Sequence, residues 1–340
     1  MILILILILI LILILILILI LILSKLFTKP CKSLINQNLG KSHWLRNYLP
    51  LQLLTNFQEM ADIQHLKDLV SQVRRDIVRQ VHAVNSGHPG GSLGCTEFIV
   101  ALYNEIMDHD PSFQMDGKNQ DLFFLSNGHI SPVFYSVLAH AGYFPKEELN
   151  TFRKLNSRLQ GHPTTHEGLP GVRIASGSLG QGMSVGIGAA LTKKLNGDDK
   201  TVFTLHGDGE LQEGQIWEAA MYASANHVDN LIATIDVNGQ QIDGSTDTVL
   251  TLGDLRKKFE AFGWNVVTVS KGNDMESVIA GIKEAISLSR KRTPICILLH
   301  TVMGHGVDFM MGSHEWHGIA PNDEQLAEAL KQNPETLGDY

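Results

Sequence analysis

The 340 residues carry 27 Lys and Arg against 35 Asp and Glu, a formal net charge of −8. That balance excludes a general polyanion-binding role, nucleic acid included, and leaves any phosphate recognition to a local site. Apolar residues make up 44% and charged residues 18%, ordinary for a soluble α/β protein.

Three cysteines, Cys31, Cys95 and Cys296, stand far apart with no CxxC. They predict neither a disulfide frame nor a zinc site, and point to a reducing compartment.

Residues 2–23 alternate Ile and Leu without a break and are followed by Lys25, Lys29 and Lys32. Taken literally, the run is long enough to span a bilayer, with its basic flank on the cytoplasmic side. It lacks the basic n-region and small-residue cleavage site of a secretory signal. Perfect dipeptide periodicity suits a translated nucleotide repeat better than an anchor. The expectation is therefore that residues 1–59 are a low-complexity, unstructured leader. Met60 would be the true start, and the folded domain would occupy 60–320 in the cytoplasm. A membrane-anchored chain is the alternative.

From Met60, apolar residues at Ile63, Leu66, Leu69, Val70, Val73, Ile77, Val81 and Val84 recur at helical spacing and predict one long helix. It stops at Ser86-Gly87-His88-Pro89-Gly90-Gly91, where glycine and proline enforce a loop. A second helix is expected over 95–107. Leu122–Leu125 reads as a buried strand, with Ser126-Asn127-Gly128-His129 as its C-terminal turn. Helices are expected over 133–142 and 146–155, and Gln160-Gly161-His162-Pro163 forms another histidine-bearing loop. A glycine-rich turn, residues 177–182, precedes a small-residue helix over 183–194. Such a turn can face an anion through free backbone N–H groups, although by itself it more often marks close packing.

The centre of the chain is a strand–turn–helix–strand–turn unit. Residues 201–205 form the first strand, which breaks at Gly207-Asp208-Gly209; a helix follows over 212–226. Leu231–Val237 form the second strand, which breaks at Asn238-Gly239. In a parallel βαβ unit both turns lie at the C-terminal edge of the sheet, where open α/β sheets bind ligands. Asp208 and Asn238 would offer oxygen to Mg²⁺, which takes one or two carboxylates and completes its shell with phosphate and water. Taken singly, each turn is also explained by turn chemistry alone.

Residues 264–269 and 294–300 predict two further strands around a helix over 274–290. Then comes the loop Gly312-Ser313-His314-Glu315-Trp316-His317-Gly318, and from Pro321 a polar, weakly helical tail. The fold class is a doubly wound α/β domain with a mostly parallel sheet. The fifteen histidines lack zinc-site spacing. A histidine loop is otherwise an ordinary solvated turn, but imidazole can move a proton or bond a hydroxyl near neutral pH.

The pair GDG and N on consecutive strand ends, continued as GELQEGQIWEAA and NGQQIDG, resembles the thiamine diphosphate enzymes, and among them transketolases. The resemblance runs from about Asp62 to Ala320 and includes SGHPG, SNGH, GHP, GSLGQG and the histidine before Gly318. It implies Mg²⁺ (with Ca²⁺ or Mn²⁺ able to substitute) on Asp208, Asn238 and the backbone carbonyl of Gln240. Thiamine diphosphate would be held by His129, Gly177, Ser178, Leu179, Gly209, Asn238 and His317, with His88, His162 and His317 toward the sugar. The lysine-containing form common near Met303-Gly304-His305-Gly306 is missing, and Ile130 stands where glycine is frequent. Neither His305 nor His314 receives a role.

The resemblance further implies transfer of a two-carbon ketol unit from a ketose phosphate to an aldose phosphate. It also implies a separate C-terminal subunit, carrying the pyrimidine-binding domain with its activating glutamate and the phosphate-binding arginines, in an α₂β₂ assembly. Glu213, on the helix 213–225, matches an interface glutamate. Dihydroxyacetone synthase and deoxyxylulose-phosphate synthase are related alternatives, SGHPG and GSLGQG favouring transketolase over the latter. From a different class, a non-catalytic binding protein could share the fold.

Overall fold

The computed structural model describes residues 51–340, and Asp62–Tyr340 form a compact unit of their own. The membrane-segment reading of residues 2–23, and the leader as far as residue 50, lie outside the described residues. Among the described residues, no helix is long and apolar enough to cross a membrane.

Five strands, β1 (Leu122–Leu125), β2 (Val202–Gly207), β3 (Leu231–Val237), β6 (Asn265–Val269) and β7 (Ile295–His300), form one sheet in the order β1-β2-β3-β7-β6. Every pairing in it is parallel. β1, β2 and β3 are almost wholly buried, as expected of central strands covered on both faces, whose sequences read as apolar runs rather than alternations. A two-residue antiparallel pair, β4 (Gln240–Gln241) with β5 (Gly244–Ser245), follows β3 outside the sheet.

Alternate residues of each strand enter opposite cores. Phe123, Leu125, Phe203, Leu205, Ile232 and Ile297 join a layer that includes α1 (Leu51–Ala83), α2 (Pro89–Gly94), α3 (Thr96–Ala101), α4 (Ser131–His140) and α9 (Met275–Leu288). Leu122, Phe124, Val202, Ala233, Ile235 and Leu298 join the other, with α5 (Gly182–Leu195), α6 (Gly214–Ala225) and α8 (Leu255–Ala261). Right-handed crossovers account for that division. β1, β2, β3 and β6 advance across the sheet and keep α5, α6 and α8 on one face. The return from β6 to β7 puts α9 on the other.

Several elements depart from the sequence expectation. α1 begins at Leu51, ahead of Met60. The helix expected over 95–107 is divided between α3 and a π turn at Leu102–Ile106. The one expected over 146–155 is a 3₁₀ segment, Lys146–Thr151. A short helix, α7 (Thr246–Leu250), follows β5.

The helical tendency expected beyond Pro321 is realised as an ordered helix. α10 (Asp323–Gln332) starts at a capping box between Asn322 and Gln325, which satisfies two otherwise orphaned donors. Arg75 then clamps Asp339 through bonds of 2.9 and 2.7 Å, and Arg79 donates to the Tyr340 carbonyl at 2.7 Å. These contacts tie the last residues back onto α1, so the packed domain reaches Tyr340.

Candidate active site at the C-terminal edge of the sheet

Register fixes the site. Leu125 pairs with Leu205 and Gly207 with Asp236, so Ser126–His129, Gly207–Gly209 and Asn238 leave the sheet at one edge. Asn127, His129, Gly207–Gly209 and Asn238 line a cleft of about 360 Å³ with His88, His162, Gly177, Leu179, Gln240, Met303 and His317. Of the eleven residues singled out in the sequence, only Ser178 is not part of its lining, and it sits between two that are.

Asp208, 2% exposed, caps the 3₁₀ turn Gly209–Gln212. Its Oδ1 accepts from the Gly209 N–H at 2.8 Å and its Oδ2 from the Gly239 N–H at 2.6 Å. Burial, helped by neighbouring Asp236, still pushes its carboxyl up to about 7; those backbone donors oppose the rise. Asp236 is raised too, by burial, against the hydrogen bonds of Thr301, Cys95 and Asn238.

Asn238 is locked from both ends: Nδ2 donates to Asp236 Oδ2 at 2.7 Å, and Oδ1 accepts from the Gln240 N–H at 2.9 Å. One lone pair of Oδ1 remains. Two crowded, buried carboxyl groups whose ionised form is disfavoured are a setting that a divalent cation relieves.

Four imidazoles close the other wall. Ring centroids lie 5.1 Å apart for His88 and His129, 5.6 Å for His88 and His317, 6.0 Å for His88 and His162, and 4.9 Å for His129 and His317. Burial holds His88 down to about 3, with further lowering from His317, Arg153 and His162. Burial is also the first cause of the lowering at His129, His162 and His317. All four are therefore neutral at physiological pH. The Nδ1 atoms of His88 and His317, Asn127 Oδ1 and Ser176 Oγ are buried without a partner. Polar atoms in that condition are costly unless a ligand or water completes them.

The glycine-rich turn is held by Glu210, a residue the motifs did not single out. It is 2% exposed and accepts from the N–H groups of Gly180 at 2.7 Å and Gly207 at 3.1 Å, and from the Ser126 hydroxyl. Burial works against its charge, but His206 and those bonds outweigh it and keep the carboxyl below its usual range. Ser126 Oγ also accepts from Gly182 N at 3.0 Å. The 177–182 turn is thereby stitched to the ends of β1 and β2. At Gly128, an added Cβ would lie 2.3 Å from both the carbonyl oxygen and Oγ of Ser176, so only glycine lets the two loops approach.

Residues 65–335 match the family described as transketolase, thiamine diphosphate binding domain. The chain belongs to the transketolase family. It is a transferase of the transketolase type, and it corresponds to the N-terminal, thiamine diphosphate-binding subunit of the split members.

An apulose-4-phosphate transketolase subunit from Phocaeicola vulgatus is 37% identical over 264 residues, covering 78% of this chain and 92% of the relative. A 6-deoxy-6-sulfo-D-fructose transketolase subunit from Clostridium is 35% identical over 275 residues, covering 81% and 97%. The solved transketolase of Campylobacter jejuni superposes with a TM-score of 0.74 at 32% identity, over 80% of this chain and 43% of that one. The chain thus spans about two-fifths of the length of that undivided transketolase.

The residues present fit the cofactor of the family: a glycine-lined turn, unpartnered buried polar atoms and the Asp208–Asn238 edge face one cleft. No cluster of three or more His, Cys, Asp or Glu able to hold a metal exists among the described residues. Beside the Asp208 carboxylate, a cation here would depend on the Asn238 amide, the Gln240 carbonyl and the cofactor's own diphosphate. His305 lies apart, in a second cavity with Arg74 and Glu97. His314 and His166 are exposed.

Proposed function

We propose that this chain is the cofactor-binding half of a Mg²⁺-dependent transketolase. It would move a two-carbon ketol unit from a ketose phosphate, such as xylulose 5-phosphate, to an aldose phosphate, such as ribose 5-phosphate. The observation that carries the reading is the meeting of Asp208 and Asn238 with four neutral imidazoles in one cleft. Asp208, Asn238 and the Gln240 carbonyl hold the cation. His129, Gly209 and the loop 177–179 hold thiamine diphosphate, which when bound supplies a carbanion and an electron sink. His88, His162 and His317 face the sugar, orient its hydroxyls and carry protons as neutral bases. The C2–C3 bond of the donor breaks, and a new carbon–carbon bond forms to the acceptor's aldehyde carbon.

Relatives that are themselves named as transketolase subunits support a partner requirement. The partner would be a C-terminal subunit with the pyrimidine-binding domain in an α₂β₂ assembly; Glu213, exposed and among the residues lining the cleft, is the contact proposed for it. The pathway is carbohydrate metabolism of the pentose phosphate type, in the cytoplasm.

The names of the relatives favour a second reading of the sugar: two act on apulose 4-phosphate and one on a sulfonated fructose. The test is ketol transfer by the full chain, alone and with the adjacent gene's product, given thiamine diphosphate and Mg²⁺ and a panel of phosphorylated and sulfonated ketoses. Activity only in the mixture, lost in Asp208→Ala, is expected. Turnover by the chain alone would remove the partner requirement. Tight cofactor binding without transfer from the panel would move the reading to a different donor or acceptor within the same chemistry, and loss of Mg²⁺-dependent cofactor binding would favour a non-catalytic binding protein.

A further inference from the structure

Arg153 carries a charge that the fold leaves without a counter-ion. Its Nη1 donates to the Ser86 hydroxyl at 2.9 Å, while Nε and Nη2 are buried with no partner. Two carbonyls of the neighbouring loop are engaged elsewhere: Gln160 accepts from the Tyr135 hydroxyl and Gly161 from Ser131 Oγ, both at 2.8 Å. Other arginines packed into the fold are served differently, Arg74 by Glu97, Arg75 by Asp339 and Arg158 by Glu148. A guanidinium stays charged throughout the pH range of a folded protein, and a half-buried one without a carboxylate is costly to keep.

Its placement ties that charge to two of the cleft histidines. Ser86 lies two residues before His88, and Gly161 one before His162. A Cβ at position 161 would fall 2.6–2.8 Å from Cζ, Nε and Nη2 of Arg153, so glycine lets the guanidinium close onto the His162 loop. Arg153 itself sits at φ +54°, a left-handed conformation that a non-glycine residue adopts only where its surroundings enforce it. Its N–H bonds to the Leu159 carbonyl at 2.8 Å and closes the loop on which it stands. The guanidinium thus bridges two loops whose imidazole centroids lie 6.0 Å apart.

His162 is faced by His88, His129 and Arg153, and His88 by His129, His162, His317 and Arg153. Among the described residues no carboxylate faces either ring. Burial comes first in holding both imidazoles below their ordinary range; Arg153 is next at His162, and at His88 it follows His317. A nearby cation disfavours the protonated ring and so preserves the form that accepts a hydroxyl proton.

We propose that Arg153 is a positioning residue for the reaction, holding His88 and His162 in place as proton acceptors through its bridge and its uncompensated charge. The assignment rests on the ketol-transfer reading. NMR titration of the histidine Cε1–H resonances in the full chain tests it, with wild type, Arg153→Gln and Arg153→Lys. His88 titrates near 3, so His162 is the reporter.

In Arg153→Gln the His162 midpoint should rise by a few tenths of a pH unit, the scale of one charge acting through largely aqueous surroundings. The rise should shrink in high salt, be smaller in Arg153→Lys, and leave His317, which Asp243 faces instead, unmoved. With the partner subunit, the acid limb of the kcat/KM profile should move to higher pH in Arg153→Gln. An unmoved His162, a shift indifferent to salt, equal shifts in the two variants or a matching shift at His317 would overturn the proposal. So would a shifted His162 with an unchanged acid limb. Absence of ketol transfer in the wild-type mixture would instead strike the ketol-transfer reading, whatever the titration shows.

Discussion

The histidine cluster predicts an acid sensitivity that one substitution should relieve. In the unfolded chain His88 titrates near 6.5, and in the fold burial holds it near 3. Between those values the unfolded state binds more protons than the folded state, so stability is complete above about pH 6.5 and declines as pH falls through the window. At about pH 5 the unfolded imidazole lies about 1.5 pH units below its own midpoint, worth about 2 kcal/mol at 1.36 kcal/mol per unit.

His88 is only half-buried, so solvent screening trims the figure to about 1–2 kcal/mol. His129, His162 and His317 are lowered in the same direction, so the cluster bears on a total stability of only about 5–15 kcal/mol. Urea unfolding of the full chain near pH 8 and near pH 5 measures the loss in wild type and in His88→Gln. The variant should lose about 1–2 kcal/mol less than wild type across that interval. Each protein serves as its own reference, so the change in side-chain size cancels. Equal losses in the two proteins would refute a buried, neutral His88.

Three further substitutions probe the same edge of the sheet. Asp208 has a folded pKa of about 7 against an ordinary value of 3.8, so its ionisation costs the fold stability as pH rises through that range. Asp208→Asn should unfold no earlier than wild type near pH 8 in the absence of ligand, yet lose the Mg²⁺-dependent rise in melting temperature with thiamine diphosphate; calorimetry reads both. Gly128→Ala places a methyl 2.3 Å from Ser176 and should cost about 1–3 kcal/mol, with weaker cofactor binding as loop 177–179 is displaced, measured by denaturation and fluorescence titration. Glu210→Gln sets an amide against donors from Ser126, Gly180 and Gly207. It should cost about 1–3 kcal/mol and speed amide exchange in the 177–182 turn.

The strands were legible because central parallel strands are written as uninterrupted apolar runs: LFFL at 122–125 and LIATI at 231–235 became β1 and most of β3. The turns that follow them were equally plain, so Asp208, Asn238 and His129 could be placed at one edge from spacing alone. His88, His162 and His317 could not. They sit on loops whose approach depends on packing between distant elements, and motif resemblance was the only guide to them. Asp236 and Glu210 escaped notice although a signal existed, since each is a carboxylate beside or within a buried strand, where a charge needs a reason. The integration of residues 321–340 was hidden because Arg75 and Asp339 meet across nearly the whole domain.

The polar arrangement around the cleft is costly when unliganded and well suited to a bound cofactor. Asp208 and Asp236 crowd each other in a buried setting, both raised, while backbone donors, Thr301 and Asn238 hold them in place. Across the cleft, four imidazoles are kept uncharged beside partnerless buried atoms. A divalent cation on the carboxylate wall would offset the repulsion there, and would compete with the proton that Asp208 holds below about pH 7. A diphosphate would meet a glycine-rich turn whose Gly180 and Gly182 N–H groups are already spent on Glu210 and Ser126, which fix its shape in advance. Binding at this cleft would therefore stabilise the fold by mass action, most strongly above pH 7, where Asp208 is already ionised.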